Sequence, residues 1–314
     1  MSTQIPTAFI DQFRANFDML VQQMDSRLVN ACVQESLTGE FGFRDQIGAV
    51  MPRQRTSRHA DTPFTEVPHA RRRFFTSEWE LGEIIDRQDT ERMLTNPQSA
   101  YVQAFAASFA RQRDKTILDA FFEPAATGRS GGTTVNFPSG QQIDVNFVES
   151  GSPANSSLTM GKLRRAVELL GDVGAEDGEM YIAVTRREVS AMLRTIEYTS
   201  SDYVLARPLM DAGFGQALPK FMGLNWIVLP NRVVAPDGST TLMTMFNLDG
   251  SGHRRIPVWS SKGMLFAQTA GTQIEAAPDP TKGFNTRLYG RASFGATRLE
   301  EIRVVEIKCS TSVF

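Results

Sequence analysis

The chain of 314 residues is 41% hydrophobic and 22% charged with a formal net charge of -2, the values of an ordinary globular protein long enough for one elaborated domain or two. Near-zero charge removes the electrostatic case for nucleic-acid binding through the whole surface, and only local basic patches remain. No apolar run is long enough to span a bilayer, the N-terminus lacks the basic and then apolar blocks of a signal peptide, and a cytosolic fold is the expectation.

Residues 7 to 28 place Phe9, Phe13, Phe17, Leu20, Met24 and Leu28 at helical spacing, which predicts an amphipathic helix with three aromatic rings on one face. Such a helix is either part of the core or an arm docked on another surface. Between Phe41 and His69 the pattern dissolves into polar and basic residues, among them Arg53, Arg55 and Arg58, and predicts no regular core element. From Arg71-Arg72-Arg73 the chain leads into Phe75, Trp79, Leu81 and Ile85 on one alternating face, a strand with one buried side. An excursion of about twenty-five residues returning on a strand is too long for an ordinary connection and predicts a projecting hairpin or functional loop.

Asn96-Pro97 is a helix start, and Val102, Phe105, Phe109, Ile117 and Phe121 then recur at three- and four-residue steps up to Pro124. At 1.5 Å per residue this spine from Asn96 to Phe122 would run roughly 40 Å. Leu158 to Leu170 predicts a second helix closed by Gly171, Glu179 to Val184 a short strand, and Thr185-Arg186-Arg187-Glu188 a capping box opening a third helix. Tyr198 to Gly215 is loop-like. Gly223 to Pro230, Thr240 to Phe246, Val258-Trp259 and Met264 to Ala267 read as short strands, and Arg287 to Ala296 and Ile302 to Cys309 as two strands joined by a turn. Runs of this kind predict an α+β or α/β layer.

Chemistry is sparse. Cys32 and Cys309 fall outside any paired metal-ligand spacing and read as reduced structural thiols; His59, His69 and His253 are scattered. No phosphate-cradling glycine loop is present. Gly128-Arg129-Ser130-Gly131-Gly132 satisfies the G-x-S-x-G pattern of a hydrolase, yet that elbow needs a strand before the serine and a helix after it. Here a helix precedes and a strand-like run follows, so Ser130 reads as part of a flexible glycine loop.

The order of these elements, together with Trp79 to Asp89 leading into Asn96-Pro97-Gln98-Ser99, Val135-Asn136-Phe137-Pro138, Lys220 to Pro230 with its Gly223-Leu224-Asn225-Trp226, and the ending Gly295 to Cys309, resembles the major capsid proteins of tailed bacteriophages, the Hong Kong 97 fold. The resemblance covers nearly the whole chain. It implies an α+β fold with an N-terminal arm (1–44), an extended loop (45–86), a peripheral domain with the spine helix (87–155), an axial domain (156–275) and returning peripheral strands (276–314). It further implies a shell subunit without catalytic, cofactor or metal site, forming the hexamers and pentamers of an icosahedral head around double-stranded DNA, in a virion assembled in the host cytoplasm. Phe9, Phe13, Phe17, Arg53, Arg55, Arg71, Arg72, Arg73 and Trp79 would then make the contacts between subunits. No lysine precedes Lys115, so the loop cannot supply a lysine for the cross-link some relatives form. Stability would be non-covalent or borrowed from a decoration protein. The chain starts directly at the arm, so a separate scaffolding protein is the expectation, with a portal protein as a further partner. The rival readings are an encapsulin-like compartment shell of the same fold and a hydrolase using Ser130.

Overall fold

The computed structural model describes residues 23–58, 61, 64–86, 98–149, 151–193, 220–235 and 239–312. The helix expected from residue 7, the Asn96-Pro97 start, His59 and the loop from Tyr198 lie outside the described residues, apart from the end of that first segment. Gln23 to Leu28, its last residues, are irregular and not helical.

The first half of the chain carries strands β1 (Val33–Ser36), β2 (Phe41–Ile47), β3 (His69–Phe75) and β4 (Ser77–Ile85), then helix α1 (Gln98–Ala120). Next come β5 (Ala125–Thr127), β6 (Thr133–Val135), β7 (Gln142–Ile143), helix α2 (Met160–Asp172), β8 (Met180–Val184) and helix α3 (Arg186–Leu193). After β9 (Leu224–Val228), β10 (Arg232–Val234) and β11 (Thr241–Thr244), the chain ends in β12 (Arg254–Ser260), β13 (Met264–Asp279), β14 (Asn285–Arg298) and β15 (Val304–Cys309).

Two sheets share one core. In the first, ordered β1-β13-β14-β4, the long β13–β14 hairpin is flanked by short β1, which runs parallel to β13, and by antiparallel β4. Helix α1 lies on this sheet; a Cβ at Gly290 would come within 2.9 Å of the Phe109 ring, so the absent side chain is what lets helix and strand approach. The second sheet, ordered β7-β15-β12-β8-β9, buries Ile182, Ile256, Val258, Trp259, Val305 and Ile307. Phe121 at the end of α1 meets Trp259 with ring centroids 4.7 Å apart, and the Trp259 indole N–H donates to the Ala31 carbonyl at 2.9 Å, which joins the two sheets and the entering chain.

Thr185 opens α3 as the capping box requires: the Glu188 carboxylate accepts from the Thr185 backbone N–H at 3.1 Å and from its hydroxyl. The Glu188 carboxylate also takes a buried ion pair from Arg254 on β12. Helix α2 does not stop at Gly171 but continues to Asp172, and the left-handed residue is Gly174, φ +67°.

Two further expectations are corrected. Phe41–Ile47 is a strand, antiparallel to His69–Phe75 in full register; its inward positions are Gly42, Arg44 and Gln46, while the apolar alternation of Phe41, Phe43 and Ile47 lies on the outward face, so the strand belongs to no core. Met264–Ala267 is only the buried first quarter of a 16-residue strand whose outer part is half-buried to exposed and mixes polar with small residues, so it lacks an apolar run. The last two strands are joined by a short turn, as expected, but do not pair with each other: β14 belongs to the first sheet and β15 lies between β7 and β12 in the second.

Candidate assembly surface

A third sheet, ordered β2-β3-β5-β6, carries the projecting hairpin. The two-residue period of its strands sorts the arginine run onto opposite faces. Arg72 points inward with Phe74. It is 4% exposed, donates to the Leu299 carbonyl at 2.9 and 3.2 Å, and pairs with Glu301 at 2.7 Å. Gln46, two residues beyond Arg44, the cross-strand neighbour of Arg72, donates to the same carbonyl at 2.9 Å. Around them Leu37, Phe74, Leu265, Ala267 and Leu299 form a small apolar cluster that fixes the hairpin base to the first sheet.

Arg71 and Arg73 point outward. Arg71 bonds both oxygens of Asp45 across the strand pair, at 2.5 and 3.0 Å, and holds that carboxyl below the usual carboxylate range. The guanidinium carbon of Arg73 lies 4.4 Å from the Phe41 ring centroid and that of Arg71 lies 5.3 Å from Phe43. The stem of Arg73 runs over Gly131, whose Cβ would fall 2.2 Å from Arg73 Cδ, and Gly131 has φ +73°. This close approach is what the glycine loop accommodates. Ser130 sits exposed in the turn between β5 and β6, with no strand-to-helix elbow around it.

Beyond the base, residues 48–58, 61 and 64–70 are exposed throughout. Among them are Met51 at 82% and Phe64 at 96% exposure, with Arg53 and Arg55 between. Both are large apolar side chains that the described residues of the chain do not cover. Trp79 is half-buried, its ring stacked on Phe294 at 6.1 Å. The expected contacts thus divide: Arg53 and Arg55 are on the bare part, Arg71, Arg73 and Trp79 are partly engaged within the chain, and Arg72 is used wholly inside it. Phe9, Phe13 and Phe17 lie outside the described residues.

Sequence reasoning missed the anchor below the N-terminal segment. Asp114, fully buried on α1, accepts from Gln23 Nε2 at 2.5 Å, Ser26 Oγ at 2.6 Å and the backbone N–H groups of Arg27 and Leu28 at 3.1 Å. Burial pushes its pKa up against the opposing effect of these bonds. The signal was available: Asp114 stands three and seven residues before Ile117 and Phe121, on the helix's apolar stripe, where a carboxylate has to be bonded.

Nothing assembles a reactive centre among the described residues. No group of three His, Cys, Asp or Glu could hold a metal ion there. His69 is exposed and His253 pairs with Asp249 at 3.1 Å. Cys32 and Cys309 are buried thiols, the latter pushed up to about 12 by burial.

The family model described as phage capsid protein matches residues 5–311. Comparison with curated proteins gives no match. Among solved structures, the chain is similar to the mature capsid of bacteriophage PhiM1 (12% identity, TM-score 0.65, 96% of this chain and 92% of that one). The capsid of cyanophage P-SCSP1u is similar too (14%, 0.64, 99% and 96%), as is that of Ralstonia phage GP4 (10%, 0.67, 95% and 94%). These likenesses establish the Hong Kong 97-type α+β fold.

Proposed function

Because the chain belongs to the phage capsid protein family, we propose that it is the major subunit of an icosahedral phage head, built as hexamers and pentamers around double-stranded DNA held without sequence specificity. The observation that carries the reading is the projecting β2–β3 hairpin, anchored through Arg72 and Gln46 at its base yet bare at Met51 and Phe64. A subunit of a shell has neighbours to cover that surface; a monomeric enzyme has none. The work of such a protein is mechanical, and it has no catalytic step.

On this reading the arm (1–44) and the extended loop (45–86) reach neighbouring subunits. Residues 87–155 and 276–314 form the peripheral domain, and 156–275 the axial domain around the symmetry axes. Phe9, Phe13 and Phe17 would be buried between subunits, and Arg53, Arg55, Arg71, Arg73 and Trp79 would face them. Arg72 would contribute indirectly, by fixing the angle at which the hairpin leaves. Assembly in the host cytoplasm would use a separate scaffolding protein and a portal protein, with a decoration protein as a further stabiliser.

Electron microscopy of the purified protein, with mass by light scattering, tests this. Closed shells or rings of the full chain, alone or with a co-expressed scaffold, are expected. A monodisperse monomer under every condition would overturn it.

A further inference from the structure

Strand β4 ends the first sheet. Among the described residues nothing pairs with its outer edge, so a row of backbone donors and acceptors faces solvent along Ser77–Ile85. From residue 77 to 86 the chain carries Glu78, Glu80, Glu83 and Asp86 and no cation. Opposite glutamates would meet if two β4 strands paired with each other, so the edge rejects its own kind. It is open to a basic strand.

The chain contains one. Residues 49–56 are exposed, in no strand, and carry Arg53 and Arg55 without any carboxylate. The two arginines stand two residues apart, as Glu78 and Glu80 do, which is the side-chain period of a pleated strand. We propose that residues 49–56 of one copy add as an antiparallel strand to the β4 edge of a second copy, with Arg55 opposite Glu78, Arg53 opposite Glu80 and Met51 opposite Gly82.

Several features fit this register. Gly82 leaves room for Met51 beside half-exposed Ile84. Glu80 already accepts from the Tyr289 hydroxyl at 3.0 Å, which fixes its carboxylate while leaving it further acceptor sites. Pro52 has no N–H, so it must face away from β4; Met51, Arg53 and Arg55 then turn their backbone groups toward it. The same proline leaves the new outer edge unable to take another strand, so addition stops at one. Within the isolated chain Arg55 bonds the carbonyls of Ser57, at 2.8 Å, and Arg58, and it exchanges these for Glu78 on docking.

The proposal rests on the reading that the chain assembles with copies of itself. The test uses the full chain under conditions where the wild type forms shells. The pairs R53E/R55E and E78K/E80K should each lower shell yield by about tenfold, and all four changes together should restore it to within about twofold of wild type. Wild-type yields from either pair, or a combination no better than the pairs, would overturn the docking while leaving the shell reading intact. A wild type that never assembles would remove both. A readout without variants is hydrogen exchange: the β4 amides should slow by about tenfold or more between subunit and shell. Unchanged exchange there in intact shells would equally overturn the proposal.

Discussion

The Leu28 backbone N–H donates to the Asp114 carboxylate at 3.1 Å, tying the chain's first described segment to the middle of α1. The same carboxylate takes Gln23, Ser26 and the Arg27 N–H. Asp114→Ala leaves several buried donors unmet and should cost on the order of 3 kcal/mol, with Asp114→Asn costing less because one amide oxygen still accepts. Urea unfolding gives the cost. Limited proteolysis should show faster cutting near residues 23–28 in the Ala variant; equal cutting would mean that Leu28 burial and the bonds of Arg111 to the Gln23 carbonyl and of Arg27 to the Val228 carbonyl hold the segment without Asp114.

Gly295 on β14 lies under the link between β3 and β4. A Cβ there would sit 2.0 Å from the Phe75 carbonyl oxygen and 3.2 Å from Thr76 Cα, both backbone atoms that cannot swing aside. Gly295→Ala should therefore cost about 3 kcal/mol or more, or yield insoluble protein. Gly140→Ala, where nothing lies within 4 Å, is the matched control and should change the melting temperature little.

The arginine run shows what the sequence can and cannot reveal. Periodicity found the spine helix, the capping box at Thr185 and the buried strand from Leu224, because each carries its apolar pattern on its own residues. It treated Arg71, Arg72 and Arg73 as one basic block, because their division depends on Leu299 and Glu301, more than two hundred residues away. Arg72→Glu should destabilise the subunit by about 3 kcal/mol, since it places a carboxylate beside Glu301 and takes the guanidinium from the Leu299 carbonyl, which keeps only Gln46 of its side-chain donors. The pair R71E/R73E should leave the urea unfolding midpoint close to that of wild type, because both side chains are partly solvated. Equal stabilities for the two variants would show that Arg72 is not the anchor.

Lys162 on α2 is fully buried without a carboxylate. Its ammonium donates to the carbonyls of Val145 and Ser156 at 2.9 Å, Lys308 at 3.0 Å and Ser157 at 3.2 Å, clipping β15 and the loop before α2 to the helix. Burial lowers its pKa. Lys162→Met keeps the apolar stem but removes the ammonium from all four carbonyls, of which those of Val145 and Ser156 retain a backbone donor, so it should destabilise by about 2 kcal/mol despite removing a buried charge. A neutral or stabilising result would mean that the remaining backbone donors and water satisfy the carbonyls as well as the ammonium does.

Asp177 joins three connections of the second sheet by pairing with Lys262 at 2.9 Å and with Arg303, which also pairs with Glu300 at 2.7 Å. The Arg303 hydrogen bond, then that of Lys262, brings the Asp177 pKa from 3.8 down to about 2. A carboxylate with a depressed folded pKa contributes stability that is full above its unfolded value and lost as pH falls through the folded one, because the unfolded chain binds the proton first. The window is therefore between about pH 4 and pH 2. Asp177 is 44% exposed, so screening limits the effect to under about 1 kcal/mol. The stability difference between wild type and Asp177→Asn, from urea midpoints, should be present at about pH 6 and shrink steadily toward about pH 2. It should also shrink as salt is added at the higher pH. A difference that is constant with pH would mean that Asp177 acts through loop geometry and not through its charge.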